Sequence, residues 1–231
     1  MVNNSATAVY KGLAIANNGT QNQIYAANFH ANSIEVYGPT FNPVSAPGGF
    51  VLPTLPAGYG PFNIQNIGGS LYVAYAMHDP TSEDELPGAG LGLIAQFDPN
   101  GNLVRTFTTG GTLNAPWGMA KAPANFGSMS NALLVGNFGD GRINAFDSTT
   151  GNFLGQLKDA ADNPITISGL WGIGFGNGGN AGPTNALYFA AGPNDEASGL
   201  FGSITVVPEP ASVGLLTLGL VVMVARRRRV G

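Results

Sequence analysis

Two histidines, two acidic loops and two tryptophans hold most of the chemistry open to this 231-residue chain. His30 follows Asn28-Phe29, and His78 precedes Asp79 in a different part of the chain. Neither belongs to a Gly-x-Ser-x-Gly elbow or a His-Glu-x-x-His pair, so no hydrolase triad or zinc-protease helix can be built on them. Both are expected to be solvated loop side chains. Asp79, Glu83, Asp84 and Glu85 form one acidic loop, and Asn194, Asp195 and Glu196 form another. Calcium takes roughly 6–8 oxygen ligands, but neither loop has EF-hand spacing, which favours solvated loops over a metal site. Asn137-Phe138-Gly139-Asp140-Gly141 has a single carboxylate and reads as a hairpin. Trp117 and Trp171 offer large apolar faces. Such faces fill a core in most folds and stack on sugar rings in some.

The segments that must position these residues recur. A short strand near a Gly with apolar neighbours appears as Lys11-Gly12-Leu13-Ala14, Pro61-Phe62-Asn63-Ile64, Pro116-Trp117-Gly118-Met119 and Leu170-Trp171-Gly172-Ile173. An apolar strand follows at Ile24–Ala27, Leu71–Ala74, Leu133–Gly136 and Leu187–Ala190. A third strand follows in most copies, at Ser33–Tyr37, Ile94–Phe97 and Arg142–Phe146. Turns and a fourth strand follow at Asn100–Val104 and Thr150–Leu154. Asp98-Pro99-Asn100-Gly101 and Ser148-Thr149-Thr150-Gly151 occupy equivalent hairpins, where Gly supplies the positive φ of a tight turn. Repeats of four short strands predict an all-β fold, a β-propeller of about four blades over residues 1–206. Apolar and polar residues alternate only weakly, as expected where both faces of a sheet are packed. Trp117 and Trp171 fall at equivalent positions of successive blades. They read first as inter-blade core and second as a ligand face for sugars. A four-bladed ring is not favoured, because no spare outer strand is seen at residues 1–9. An open arc exposes two blade faces and is expected to aggregate.

Composition narrows the function. With 35 Gly, 16 Pro and 10% charged residues, the chain is turn-rich, while 44% hydrophobic residues supply a core and argue against disorder. Net charge is −4, and the four tail arginines mask a body at −8, so nucleic acid is not an expected partner. Cysteine is absent, which excludes disulfides and thiolate metal sites. No catalytic residue, cofactor site or metal site is identified, and the chain is read as a non-enzyme. The start, Met1-Val2-Asn3-Asn4-Ser5, has no basic or apolar signal-peptide region, and the chain is expected to be the C-terminal part of a longer protein.

The last residues form a three-part tail, residues 207–231. Val207-Pro208-Glu209-Pro210 precedes an uncharged run from Ala211 to Ala225, and Arg226, Arg227, Arg228 and Arg229 close it. The run predicts a short transmembrane-type helix of about 22 Å, somewhat below the span of roughly 20 residues, with the arginines on the cytoplasmic side. This arrangement resembles the PEP-CTERM sorting signal. The resemblance covers residues 207–229. It implies a Gram-negative exported protein, a transient inner-membrane anchor, cleavage by an exosortase as partner, and delivery to the surface or extracellular space in an exopolysaccharide context.

The body is similar to an uncharacterised propeller-like family of exported bacterial proteins. The likeness rests on Pro61–Ile67, Leu134–Asp147 and Gly169–Gly172, and implies further blades in a ring of about six. Three readings follow. The first is a displayed binding or matrix propeller linked to polysaccharide. The second is a propeller enzyme, lactonase- or lyase-like, with a metal at a channel lined by Asn28, Asn63 and Asn137. The third is a nonfunctional fragment.

Overall fold

The computed structural model describes residue 4 and residues 8–206. Its strands form four antiparallel sheets, each a simple meander. Blade 1 contains β1 (Tyr10–Asn17), β2 (Asn22–Asn28) and β3 (Ser33–Tyr37). Blade 2 contains β4 (Tyr59–Ile67), β5 (Ser70–Met77), β6 (Leu93–Phe97) and β7 (Leu103–Thr109). Blade 3 contains β8 (Pro116–Lys121), β9 (Leu133–Asn137), β10 (Ile143–Phe146) and β11 (Phe153–Gln156). Blade 4 contains β12 (Leu170–Phe175), β13 (Ala186–Ala191) and β14 (Leu200–Thr205). The first strand of each blade packs against the first strand of the next, so the four sheets succeed one another about a shared axis. This is the all-β, propeller-like architecture expected from the repeats. The expected transmembrane-type helix lies outside the described residues. Among the described residues, no helix is long and apolar enough to cross a membrane.

Each joint between blades has its own core. Blades 1 and 2 meet through Ala14, Ala16, Tyr25 and Ala27 against Ile64, Leu71, Val73 and Tyr75. Blades 2 and 3 meet through Tyr72, Ala74 and Ile94 against Met119, Leu133 and Val135. Blades 3 and 4 meet through Ala120, Leu134 and Ala145 against Leu170, Ile173 and Leu187. This explains the weak alternation: β9 and β10 are buried at every position because a sheet covers each side. Alternation returns in β1, where Ala14 and Ala16 are buried while Leu13 and Ile15 are 64% and 63% exposed. Blade 1 has a sheet on one side of those residues and solvent on the other.

The hairpins form as their turn residues dictate. Asp98 accepts the backbone N–H groups of Asn100 and Asn102, both at 2.9 Å, and Gly101 takes φ of 79°. Asp147 accepts those of Thr149 and Thr150 at 2.9 and 2.7 Å, and Gly151 takes φ of 77°. Blade 1 departs from the four-strand plan. Its fourth strand is reduced to one bridge between Tyr37 and Pro43, with Val44 donating to the Val36 carbonyl at 2.9 Å. In blade 4, β14 supplies a third strand that the repeat pattern did not reveal.

Candidate functional site at the bulged inner strands

Every inner strand carries a one-residue β-bulge at the same place. Pairing of β1 with β2 skips Lys11, and pairing of β4 with β5 skips Phe62. In β8 and β12, Trp117-Gly118 and Trp171-Gly172 each stand opposite one residue of the next strand. A bulge bends its strand and re-aims a side chain out of the ladder. Here four bulges aim Lys11, Phe62, Trp117 and Trp171 at the common axis.

The side chains meet there. The Trp117 and Trp171 rings lie 5.3 Å apart edge to face, and Trp171 is 5.9 Å from Phe62 and 4.3 Å from Phe138. Phe29, Phe62, Ala76 and Ala115 form the buried floor beneath them. Two bonds cross between blades, the first of them between blades that are not neighbours in the chain. Trp117 Nε1 donates to the Lys11 carbonyl of blade 1 at 2.8 Å, and Lys11 Nζ donates to Asp84 of blade 2 at 2.9 Å. Trp171 Nε1 donates to Glu196 Oε1 at 2.6 Å. Both tryptophans are half-buried. They therefore contribute to the axial packing, and part of each indole stays accessible.

Close approach of the backbones makes this convergence possible. The residue after each bulge faces the next inner strand: Gly12, Asn63 and Gly118 in turn. A Cβ on Gly12 would lie 2.7 Å from Asn63 Cα, and one on Gly118 would lie 2.5 Å from the Trp171 carbonyl oxygen. Asn63 Nδ2 donates to the Trp117 carbonyl at 2.7 Å. The inner ring is thus stitched by two glycines and an amide.

The acids of the first loop do not all behave as solvated side chains. Asp79 does, with its carboxylate held by Thr81 and its pKa lowered by those hydrogen bonds. Glu85 departs from that expectation. It is 7% exposed, its Oε2 has no hydrogen-bond partner, and Lys11 Nζ stands 3.9 Å away. Burial raises its pKa, opposed by a backbone hydrogen bond and the Lys11 charge and reinforced by Asp84 and Glu196. The folded state therefore holds a proton on Glu85 where the unfolded chain has lost it. Stability falls as pH rises from the ordinary carboxylate range through the titration of Glu85. Glu85→Gln removes that penalty, with Asp84 left to hold Lys11. The variant should melt at a higher temperature than the parent at about pH 8 and at the same temperature below about pH 4. Equal melting curves at both pH values would rule the buried charge out as a source of instability.

His30 and His78, far apart in sequence, come together beside blades 1 and 2. His30 Nδ1 is 2.6 Å from Glu83 Oε2, and His78 stacks on Phe29 and bonds Asn32 Oδ1 at 2.7 Å. Burial lowers the pKa of His78, with Glu83 opposing and His30 adding to the fall. His78 is thus a packed side chain where a solvated one was expected. Among the described residues, no group of three histidines, cysteines or acids is placed to hold a metal ion. Asn28, Asn63 and Asn137 each hold partners of their own. Asn28 bonds Glu35, Asn63 bonds the Trp117 carbonyl, and Asn137 bonds the Thr112 carbonyl. Lys11, Phe62 and Phe138 escaped notice in the sequence. Aligning the four first strands would have found the first two, because they occupy the slot of the tryptophans.

The sorting tail lies outside the described residues, and its assignment rests on sequence. Two uncharacterized proteins of Acanthamoeba polyphaga mimivirus are 38% and 39% identical to the chain over 200 and 206 residues. Those alignments cover 85% of this chain and 48% and 51% of the viral proteins. The chain spans about half the length of the curated relatives it matches. Among solved structures, a protein of unknown function from Bacteroides caccae superposes with a TM-score of 0.49 at 13% identity, covering 89% of this chain and 63% of that one. Virginiamycin B lyase from Staphylococcus aureus superposes with a TM-score of 0.40 at 15% identity, covering 89% and 72%. Residues 206–229 match the PEP-CTERM protein-sorting motif, so this chain carries a PEP-CTERM signal, which implies exosortase-dependent export, behind an all-β body of bulged, propeller-like blades.

Proposed function

We propose that the protein is a non-enzymatic binding component, processed by an exosortase, displayed at the cell surface or in the extracellular matrix, and that it holds neutral polysaccharide at the bulged mouth. The sorting motif supports the route. The transient membrane anchor through Ala211–Ala225 and Arg226–Arg229 is part of the same reading. The observation that carries the ligand class is the convergence of Trp117 and Trp171 on one mouth, each half-buried, with the Glu196 carboxylate beside Trp171. Pyranose rings present C–H faces that lie on indoles and hydroxyls that donate to carboxylates. Glu196 stands at hydrogen-bonding distance from Trp171, so a ring seated on that indole has an acceptor at its edge. Asp84, Glu85 and Glu196 against a single Lys11 make the mouth acidic, which favours neutral over uronic-acid polymers. The amides proposed for a catalytic channel, Asn28, Asn63 and Asn137, are bound to backbone and to Glu35, and this supports binding over turnover.

The test is calorimetric titration of the full chain in detergent with a neutral β-glucan and with a polyuronate. The glucan should bind and the polyuronate should bind more weakly. Trp171→Ala should weaken glucan binding about tenfold, the equivalent of ~1.4 kcal/mol of stacking. Absence of polysaccharide binding, or unchanged affinity in the Trp171 variant, would overturn the reading.

A further inference from the structure

The inner strands follow one packing rule. The face turned to the preceding blade carries a branched or long apolar side chain, Ile64 in β4, Met119 in β8 and Ile173 in β12. The face turned to the following blade carries small residues at the first and third joints, Ala14 and Ala16 in β1 and Ala120 in β8. Small against branched lets two inner strands approach closely and leaves no void between them.

Among the described residues, the two end faces continue the rule with no blade against them; on the blade 1 side only Asn4 reaches over, bonding Tyr10, Glu35 and Tyr37. Blade 1 turns outward the branched type, Leu13 and Ile15. Blade 4 turns outward the small type. A Cβ on Gly174 would meet nothing within 4 Å, and Gly174 lines an open groove of about 570 Å³ with Ala190. Tyr188 and Phe201 stack at its rim, 5.8 Å apart, and Phe201 is 73% exposed. Each end is therefore shaped for the other.

We propose that two copies of this chain close a ring head to tail, blade 4 of each receiving Leu13 and Ile15 from blade 1 of the other. Both halves of the joint reside on one chain, so the contact is heterologous, and two copies close it with two identical joints. The joint strands no charge. Glu35 lies on the blade 1 side, and its carboxylate already accepts from Asn28, Tyr10 and Tyr37. Those bonds hold its pKa below the ordinary value against the opposing effect of burial. This inference does not depend on the ligand of the mouth.

The experiment is sedimentation velocity of the full chain in density-matched detergent. The expected species has twice the 23.6 kDa mass of one chain. Leu13→Asp and Phe201→Asp should each give monomers with unchanged circular dichroism. Mixing the two variants should restore a dimer, because one joint is then intact: the unaltered blade 4 of the Leu13 variant receives the unaltered blade 1 of the Phe201 variant. A monomeric parent overturns the proposal. So does a dimer that survives both substitutions, which would place the contact in the tail, and so does an open polymer, which would deny closure.

Discussion

Replacing Phe62 by alanine should lower the unfolding free energy of the full chain by about 3–5 kcal/mol, the range for emptying a buried aromatic site. Phe62 is fully buried, and its ring touches elements of all four blades. Phe29 lies 5.4 Å away in the chain just after β2, Phe138 lies 6.3 Å away beyond β9, Trp171 lies 5.9 Å away in β12, and Lys11 Nζ stands 6.0 Å from the ring centroid. A cavity at that point cannot be filled by one blade shifting, because the neighbours of Phe62 come from three other blades. Urea unfolding followed by tryptophan fluorescence is the measurement. The chain has two tryptophans and both sit at the axis, so the signal reports the site itself. A loss below about 1.5 kcal/mol would mean that the axial cluster collapses freely and is not a shared floor.

The second large effect is expected at Gly118. Adding a methyl group places a carbon 2.5 Å from the Trp171 carbonyl oxygen and 3.0 Å from the Ile173 backbone nitrogen. Both obstacles are backbone, so β12 must move away from β8. The cost should be about 1–3 kcal/mol, and Trp171 should move with its strand and change its emission. Gly174→Ala is the control two residues beyond the β12 bulge. Its new carbon meets nothing within 4 Å, and its effect on monomer stability should stay within about 0.5 kcal/mol. Equal effects at the two glycines would show that the cost arises from strand glycine in general and not from close approach of the inner strands.

The strand plan could be read from the chain because each element carries its own local signal. Apolar runs bounded by Asp-Pro-Asn-Gly and Thr-Thr-Gly turns mark β6 to β7 and β10 to β11, and the repeated Trp-Gly pairs mark β8 and β12. β14 was missed because Leu200 to Thr205 mixes exposed Phe201 with Gly202 and Ser203 and lacks the apolar run of the other third strands. The site was harder. A bulge changes no composition and barely shifts a period, and shows only when the partner strand is counted against it. Glu85 looked like one more acid in a charged loop. Lys11, 74 positions earlier, and Glu196 in another blade both act on its charge, and no local pattern encodes either. The asparagines looked like channel residues because amides suit both ligands and backbone clamps, and only geometry separates those uses.

The bulges also bear on how such a protein diversifies. Each projected residue stands outside the ladder pairing of its strand, so its identity is weakly coupled to the joints on either side. Lysine, phenylalanine and tryptophan already occupy the same slot in this one chain. A lineage can therefore rewrite its mouth one blade at a time, by point substitution or by shuffling whole repeats, and keep the scaffold that presents it.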